Sequence, residues 1–115
     1  MATDNKPATQ PTADDIMAMD DRPEFTVEVP EWTLTGENAA VCRQPDIATL
    51  SMIEGSCPDT PEGKRMRAAK IIMEGCVSPK FGLQHLPILA SAKSPTAVGR
   101  LVMAILGGGK KNFSP

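Results

Sequence analysis

Four side chains in this sequence carry the atoms that nucleophilic catalysis or metal binding would require: Cys42, Cys57, Cys76 and the single histidine, His85. A thiol nucleophile needs a base within hydrogen-bond reach. A structural zinc needs four ligands, commonly delivered as Cys-x-x-Cys pairs. The cysteines show no such spacing, no local signature places His85 beside any of them, and a fourth ligand is missing. They are predicted to be reduced, partly buried small residues that hold neither metal nor cofactor. Gly107-Gly108-Gly109-Lys110-Lys111 has the composition of a phosphate-binding loop, but such a loop lies between a strand and a helix, and here a helical segment precedes it. The N-terminal acids sit in sequence too polar to hold a general acid and base rigidly. The chain reads as non-enzymatic, and the question becomes what it binds.

Charge is distributed unevenly. Residues 1–31 hold eight acids against Lys6 and Arg22, a balance of −6; residues 32–60 carry −3; from 61 onward nine bases oppose Glu62 and Glu74, giving +7. An acidic arm of this kind can shield a basic face, on the same chain or on a neighbouring copy, which makes a homo-oligomer one expected assembly. The basic stretch Lys64, Arg67, Lys70 raises nucleic acid as a rival partner. The net charge of −2 and the scarcity of aromatics, three Phe, one Trp and no Tyr, argue against stacking on bases. Seven methionines, with Met52, Met66, Met73 and Met103 on or near helix faces, suit an adaptable protein-binding surface. No apolar run approaches the roughly 20 residues of a membrane span and no secretory h-region is present, so a cytoplasmic location without membrane contact is expected.

The elements that must position these residues follow from pattern. Residues 1–22 are predicted to be a disordered acidic arm, interrupted by the apolar island Ile16, Met17, Met19. Phe25–Val29 alternates with period two, a short strand ended by Pro30 and continued weakly by Trp32 and Leu34. Thr35 offers a cap for a short helix over Gly36–Arg43 closed by Pro45, and Asp46 caps a second over Ile47–Glu54 with Ile47, Leu50 and Ile53 at helical spacing. Thr60-Pro61 opens the longest helix, to Gly75 or Val77, with the stripe Met66, Ala69, Met73, Cys76. Pro87 splits the segment Leu83–Ala92. Ser94-Pro95 opens the last helix, where Val98, Leu101, Val102 and Ile105 form one stripe and Gly107 stands where a left-handed cap belongs. The fold class predicted is mainly α: four or five short helices with an N-terminal strand or hairpin over 23–106, preceded by the arm and followed by a flexible Gly/Lys tail over 107–115.

The layout resembles that of the tail assembly chaperones of tailed bacteriophages. The matching features are Phe25-Thr26-Val27-Glu28-Val29 with Leu34-Thr35-Gly36-Glu37, the helix ending Ile71-Ile72-Met73-Glu74-Gly75-Cys76-Val77-Ser78-Pro79, and Pro95 through Leu106. The resemblance covers about 25–106 and is one of pattern. It implies a small helical host-cytoplasmic protein without enzymatic activity, which binds the tape measure protein while tail tube protein polymerises around it. It also implies a longer product made by frameshifting, for which Gly108-Gly109-Lys110 permits slippery codons. Phe25, Val27 and Val29 on the strand and Val98 and Leu101 on the last helix are the expected protein-binding residues. The alternatives are a small virion structural or connector component and a nucleic-acid-binding regulator.

Overall fold

A computed structural model describes residues 10–109. It is mainly α, with a small antiparallel sheet. In chain order the elements are helix α1 (Ala13–Ala18), strands β1 (Glu24–Val27) and β2 (Ala40–Arg43), helices α2 (Ile47–Ser56) and α3 (Pro61–Gly75), strand β3 (Cys76–Ser78), and helices α4 (Leu86–Ser91) and α5 (Pro95–Leu106). The sheet order is β1-β2-β3, with Phe25 opposite Cys42, Val27 opposite Ala40, and Cys42 opposite Cys76. Its inner face contributes Val27, Ala40 and Cys42 to one core with Ile71 and Ile72 of α3, Leu86 and Leu89 of α4, and Leu101 and Ile105 of α5.

Capping went largely as the residue types dictate. Asp46, Thr60 and Ser94 each accept a hydrogen bond from the backbone N–H three residues on, satisfying an otherwise unpaired donor of the first turn. Pro61 and Pro95 follow their caps in the first turn, where a missing N–H costs nothing. Pro87 likewise sits in the first turn of α4, after a 3-10 turn at Leu83–His85, so the segment is divided where proline requires it.

Four expectations need correction. The helix expected over Gly36–Arg43 is a 3-10 turn at Gly36–Asn38 followed by the central strand β2. The turn ends at Ala39, whose ψ of 151 is extended, and the Ala40–Arg43 backbone finds strands on both sides. The strand from Phe25 ends at Val27; Val29 instead bridges to Leu34 around the turn Pro30–Trp32, where Thr33 adopts φ 59.

The arm, in its described part, contains α1, held by a capping box in which Thr12 and Asp15 bond each other's backbone. Beyond α1, Asp20 pairs with Arg43, and Arg43 Nε donates to the Arg22 carbonyl at 2.7 Å, which ties the arm's base to β2. Residues 1–9 lie outside the described residues.

The fourth correction is at the end of α5. Gly107 is right-handed, and the left-handed residues are Gly108 (φ 68) and Gly109 (φ 82). Gly109 N–H reaches the Ala104 carbonyl at 2.9 Å and Gly108 N–H the Ile105 carbonyl at 3.1 Å, the paired bonds of a Schellman cap. Gly109 lies directly over Phe25, since a Cβ there would stand 2.4 Å from the ring. These glycines therefore close the fold, while the tail from 110 to 115 lies outside the described residues.

The Pro30–Trp32 turn is clamped to α5. Arg100 grips Glu31 with both guanidinium nitrogens, at 2.6 and 3.1 Å, and this hydrogen bonding holds the Glu31 carboxyl below the usual carboxylate range. A depressed folded-state pKa means the stabilisation is complete above the ordinary glutamate range and is lost as pH falls through the lowered value. Wild type and Glu31→Gln should therefore differ in urea midpoint at pH 7 and converge on acidification. A constant difference down to pH 2.5 would assign the stability to something other than this pair.

Candidate functional site

Helix α5 carries more apolar surface than one core can take. Arg100 is the only charged residue between Pro95 and Leu106, and a helix apolar nearly all round must find cover on more than one side. Ala97, Leu101 and Ile105 are fully buried against the core. Val98 and Val102 are half-buried and Met103 is 53% exposed, turned the other way.

This second face forms one wall of a groove of about 370 Å³. Ala68 of α3 and Leu89 and Ala90 of α4 complete its apolar lining. Small residues make the space: nothing lies within 4 Å of where a Gly99 Cβ would be. Arg65 and Lys93 stand at the rim, exposed, and neither forms an ion pair with another described residue. A second hollow, past Leu89 and Lys93, is bounded by Trp32 and Phe81, whose rings meet edge-on at 6.1 Å. The groove offers shape, apolar area and positive charge: the requirements for holding an apolar segment flanked by acids.

The residues expected to bind protein are distributed differently by the fold. Val27, Val29 and Leu101 are core residues, at 9%, 0% and 0% exposure, and none is available to a partner in this structure. Phe25 is half-buried beneath Gly109. Val98 alone of the five lines the groove. Met103, one of the methionines expected at an adaptable binding surface, does line the groove, whereas Leu89 and Gly99 were missed; the sequence signal for Gly99 is its i, i+4 pairing with Met103 on the apolar side opposite the buried residues Ala97, Leu101 and Ile105.

The other candidate chemistries resolve into structural contacts. Lys64, Arg67 and Lys70, the basic face of α3, turn toward α2 and the loop after it: Arg67 pairs with Glu54, Lys64 with Asp59 at 3.7 Å, and Lys70 Nζ donates to Ser56 Oγ at 3.1 Å. His85 Nδ1 accepts from the Gly82 N–H at 2.9 Å, and its ring meets Phe81 edge-on.

Cys42 and Cys76, distant in sequence, are brought together in the sheet with their sulfurs 3.8 Å apart, both buried. The hydrogen bond to Cys42, reinforced by burial, pushes the Cys76 thiol far above the ordinary cysteine range, which makes it a poor nucleophile. Among the described residues no group of three or more His, Cys, Asp or Glu is placed to hold a metal ion, and no helix is long and apolar enough to cross a membrane.

No protein family, curated protein or solved structure matches this chain.

Proposed function

We propose that this protein is a non-catalytic assembly chaperone of a phage tail, acting in the host cytoplasm. In this reading it binds the tape measure protein and keeps it soluble while tail tube protein assembles around it. The observation that carries the binding part is the apolar second face of α5, where Val98, Val102 and Met103 line an open groove with Arg65 and Lys93 at its rim. A long, helical, acid-bearing client suits such a groove, because apolar side chains at helical spacing fill it while flanking carboxylates meet the rim. The assignment of that client to a phage tail rests on the pattern of strand, turn and helices over 25–106.

The test is co-expression with the products of the neighbouring genes. The tape measure protein is expected to co-purify with this chain and to remain in the soluble fraction. Gly99→Glu should abolish both effects, since it fills the groove at a point where the fold has open space. Unchanged solubility of the tape measure protein without this chain would overturn the reading. Mass spectrometry of purified virions separates it from a structural component: a chaperone is absent from the finished particle, a connector is present in stoichiometric amount. Reading the codons at Gly108–Lys111 tests the frameshifted longer product, which requires a slip site and an overlapping downstream frame.

A further inference from the structure

The same groove has a candidate occupant within this chain. Helix α1 buries none of its residues, yet carries apolar side chains in the open: Ile16 is 46%, Met17 78% and, just past its end, Met19 59% exposed. Ala13, Ile16 and Met17 recur at i, i+3, i+4 and so share one face, with Asp14 and Asp15 beside it. The capping box means the turn is already formed before any partner arrives, which reduces the ordering entropy of docking. Thus one end of the molecule offers a preformed apolar turn with carboxylates, and another offers an apolar groove with two cations that form no ion pair among the described residues.

We propose that α1 of one copy docks in the α3–α4–α5 groove of a second copy, with Ile16 and Met17 against Val98, Val102 and Met103, and with Asp14 and Asp15 facing Arg65 and Lys93. Charge complementarity selects this occupant: the groove's rim is cationic, and the exposed apolar residues of α1 are flanked by acids alone. A second copy is favoured over the same chain because the arm's base is fastened away from the groove. Asp20 and Arg22 are held by Arg43, and Arg22 donates to the Gln44 carbonyl, while the Gln44 side chain bonds the Leu106 carbonyl at the far end of α5 from Val98. Exchange of arms between two copies fills both grooves. A client entering the groove must then displace an arm, so self-association and client binding compete.

Self-association of the purified full-length protein tests this without any client, so this inference and the chaperone reading fail separately. In sedimentation equilibrium the wild type should dimerise, and the dimer should weaken with added salt as the carboxylate–cation contacts are screened. Ile16→Asp with Met17→Asp should weaken association by about tenfold or more through lost apolar burial. At dilutions where the wild type is monomeric, their melting temperature should match its own, because neither residue is buried within the chain's own fold. Arg65→Glu with Lys93→Glu should likewise weaken the dimer, and adding Asp14→Lys, which leaves the Thr12–Asp15 capping box intact, should restore association. A wild type that is monomeric at every concentration, an arm variant that associates as tightly as wild type, or a charge swap that fails to restore association would each overturn the proposal.

Discussion

Gly63→Ala should destabilise the protein by about 3 kcal/mol or more, the upper range for overpacking a tight contact. Gly63 lies buried in the first turn of α3, and a Cβ there would stand 1.9 Å from the Pro58 carbonyl oxygen and 2.8 Å from its carbon. The obstacle is backbone, which cannot rotate aside as a side-chain tip can. The loop from Pro58 to Thr60 must therefore move, and with it the Thr60 hydroxyl that accepts from the Gly63 N–H at 3.0 Å. At about 4–8 °C per kcal/mol for a domain of this size, the melting temperature should fall by about 12–24 °C. Gly55→Ala is the internal control, because it lies in α2 with nothing within 4 Å of the new methyl; alanine's better helix propensity should leave the melting temperature unchanged or slightly raised. Equal losses from the two substitutions would refute the account of the Pro58 contact.

The second large effect separates core from contact on one helix. Leu101→Ala should cost about 3–4 kcal/mol, within the range for emptying a fully enclosed leucine site. Leu101 is 0% exposed, between the other buried residues of α5, Ala97 and Ile105. The site is poorly able to collapse, because α3 and α5 already approach closely at Gly75: a Cβ there would stand 2.6 Å from Ile105 Cγ2. Val98→Ala and Met103→Ala remove groove-facing side chains that water already touches and should each cost under about 1.5 kcal/mol. In the proposed function their effect is on client binding instead. Denaturant midpoints of the three variants decide the matter; a Leu101→Ala loss no larger than that of Met103→Ala would place Leu101 outside the core.

Much of the helical plan was legible because its signals are local. Thr60-Pro61 and Ser94-Pro95 announce helix starts through side chains that bond the next few residues, whatever lies further away. The apolar period of α5 predicts one stripe of Val98, Leu101, Val102 and Ile105; Leu101 and Ile105 are buried, while Val98 and Val102 are half-buried and line the groove. Less was legible in α2. Ile47, Leu50 and Ile53 share a spacing, yet Ile53 is buried and Ile47 is 84% exposed, because the core touches only the far end of that helix face. Periodicity states which residues can share a face and leaves open how much of it is covered.

The candidate site shows the same division. Its ingredients are in the sequence: an α5 apolar on nearly every side, a small residue at position 99, and cations in the C-terminal half. Which cations pair among the described residues was decided by the tertiary structure. Packing α2 against α3 set Glu54 beside Arg67 and Asp59 beside Lys64, and left Arg65, on another face, at the groove. Likewise Cys42 and Cys76 meet only because β2 pairs with β3 across 34 residues of chain.

The sequence by itself determined where α2, α3 and α5 start, where Pro87 divides the segment before α5, and which residues are apolar enough to be buried. Each of these depends on interactions spanning a few residues. The tertiary structure alone decided that Ala40–Arg43 is a central strand, that Val27, Val29 and Leu101 are core rather than contact residues, and that the second face of α5 stays open. Those outcomes depend on partners distant in the chain, whose position is fixed only when the whole core is packed.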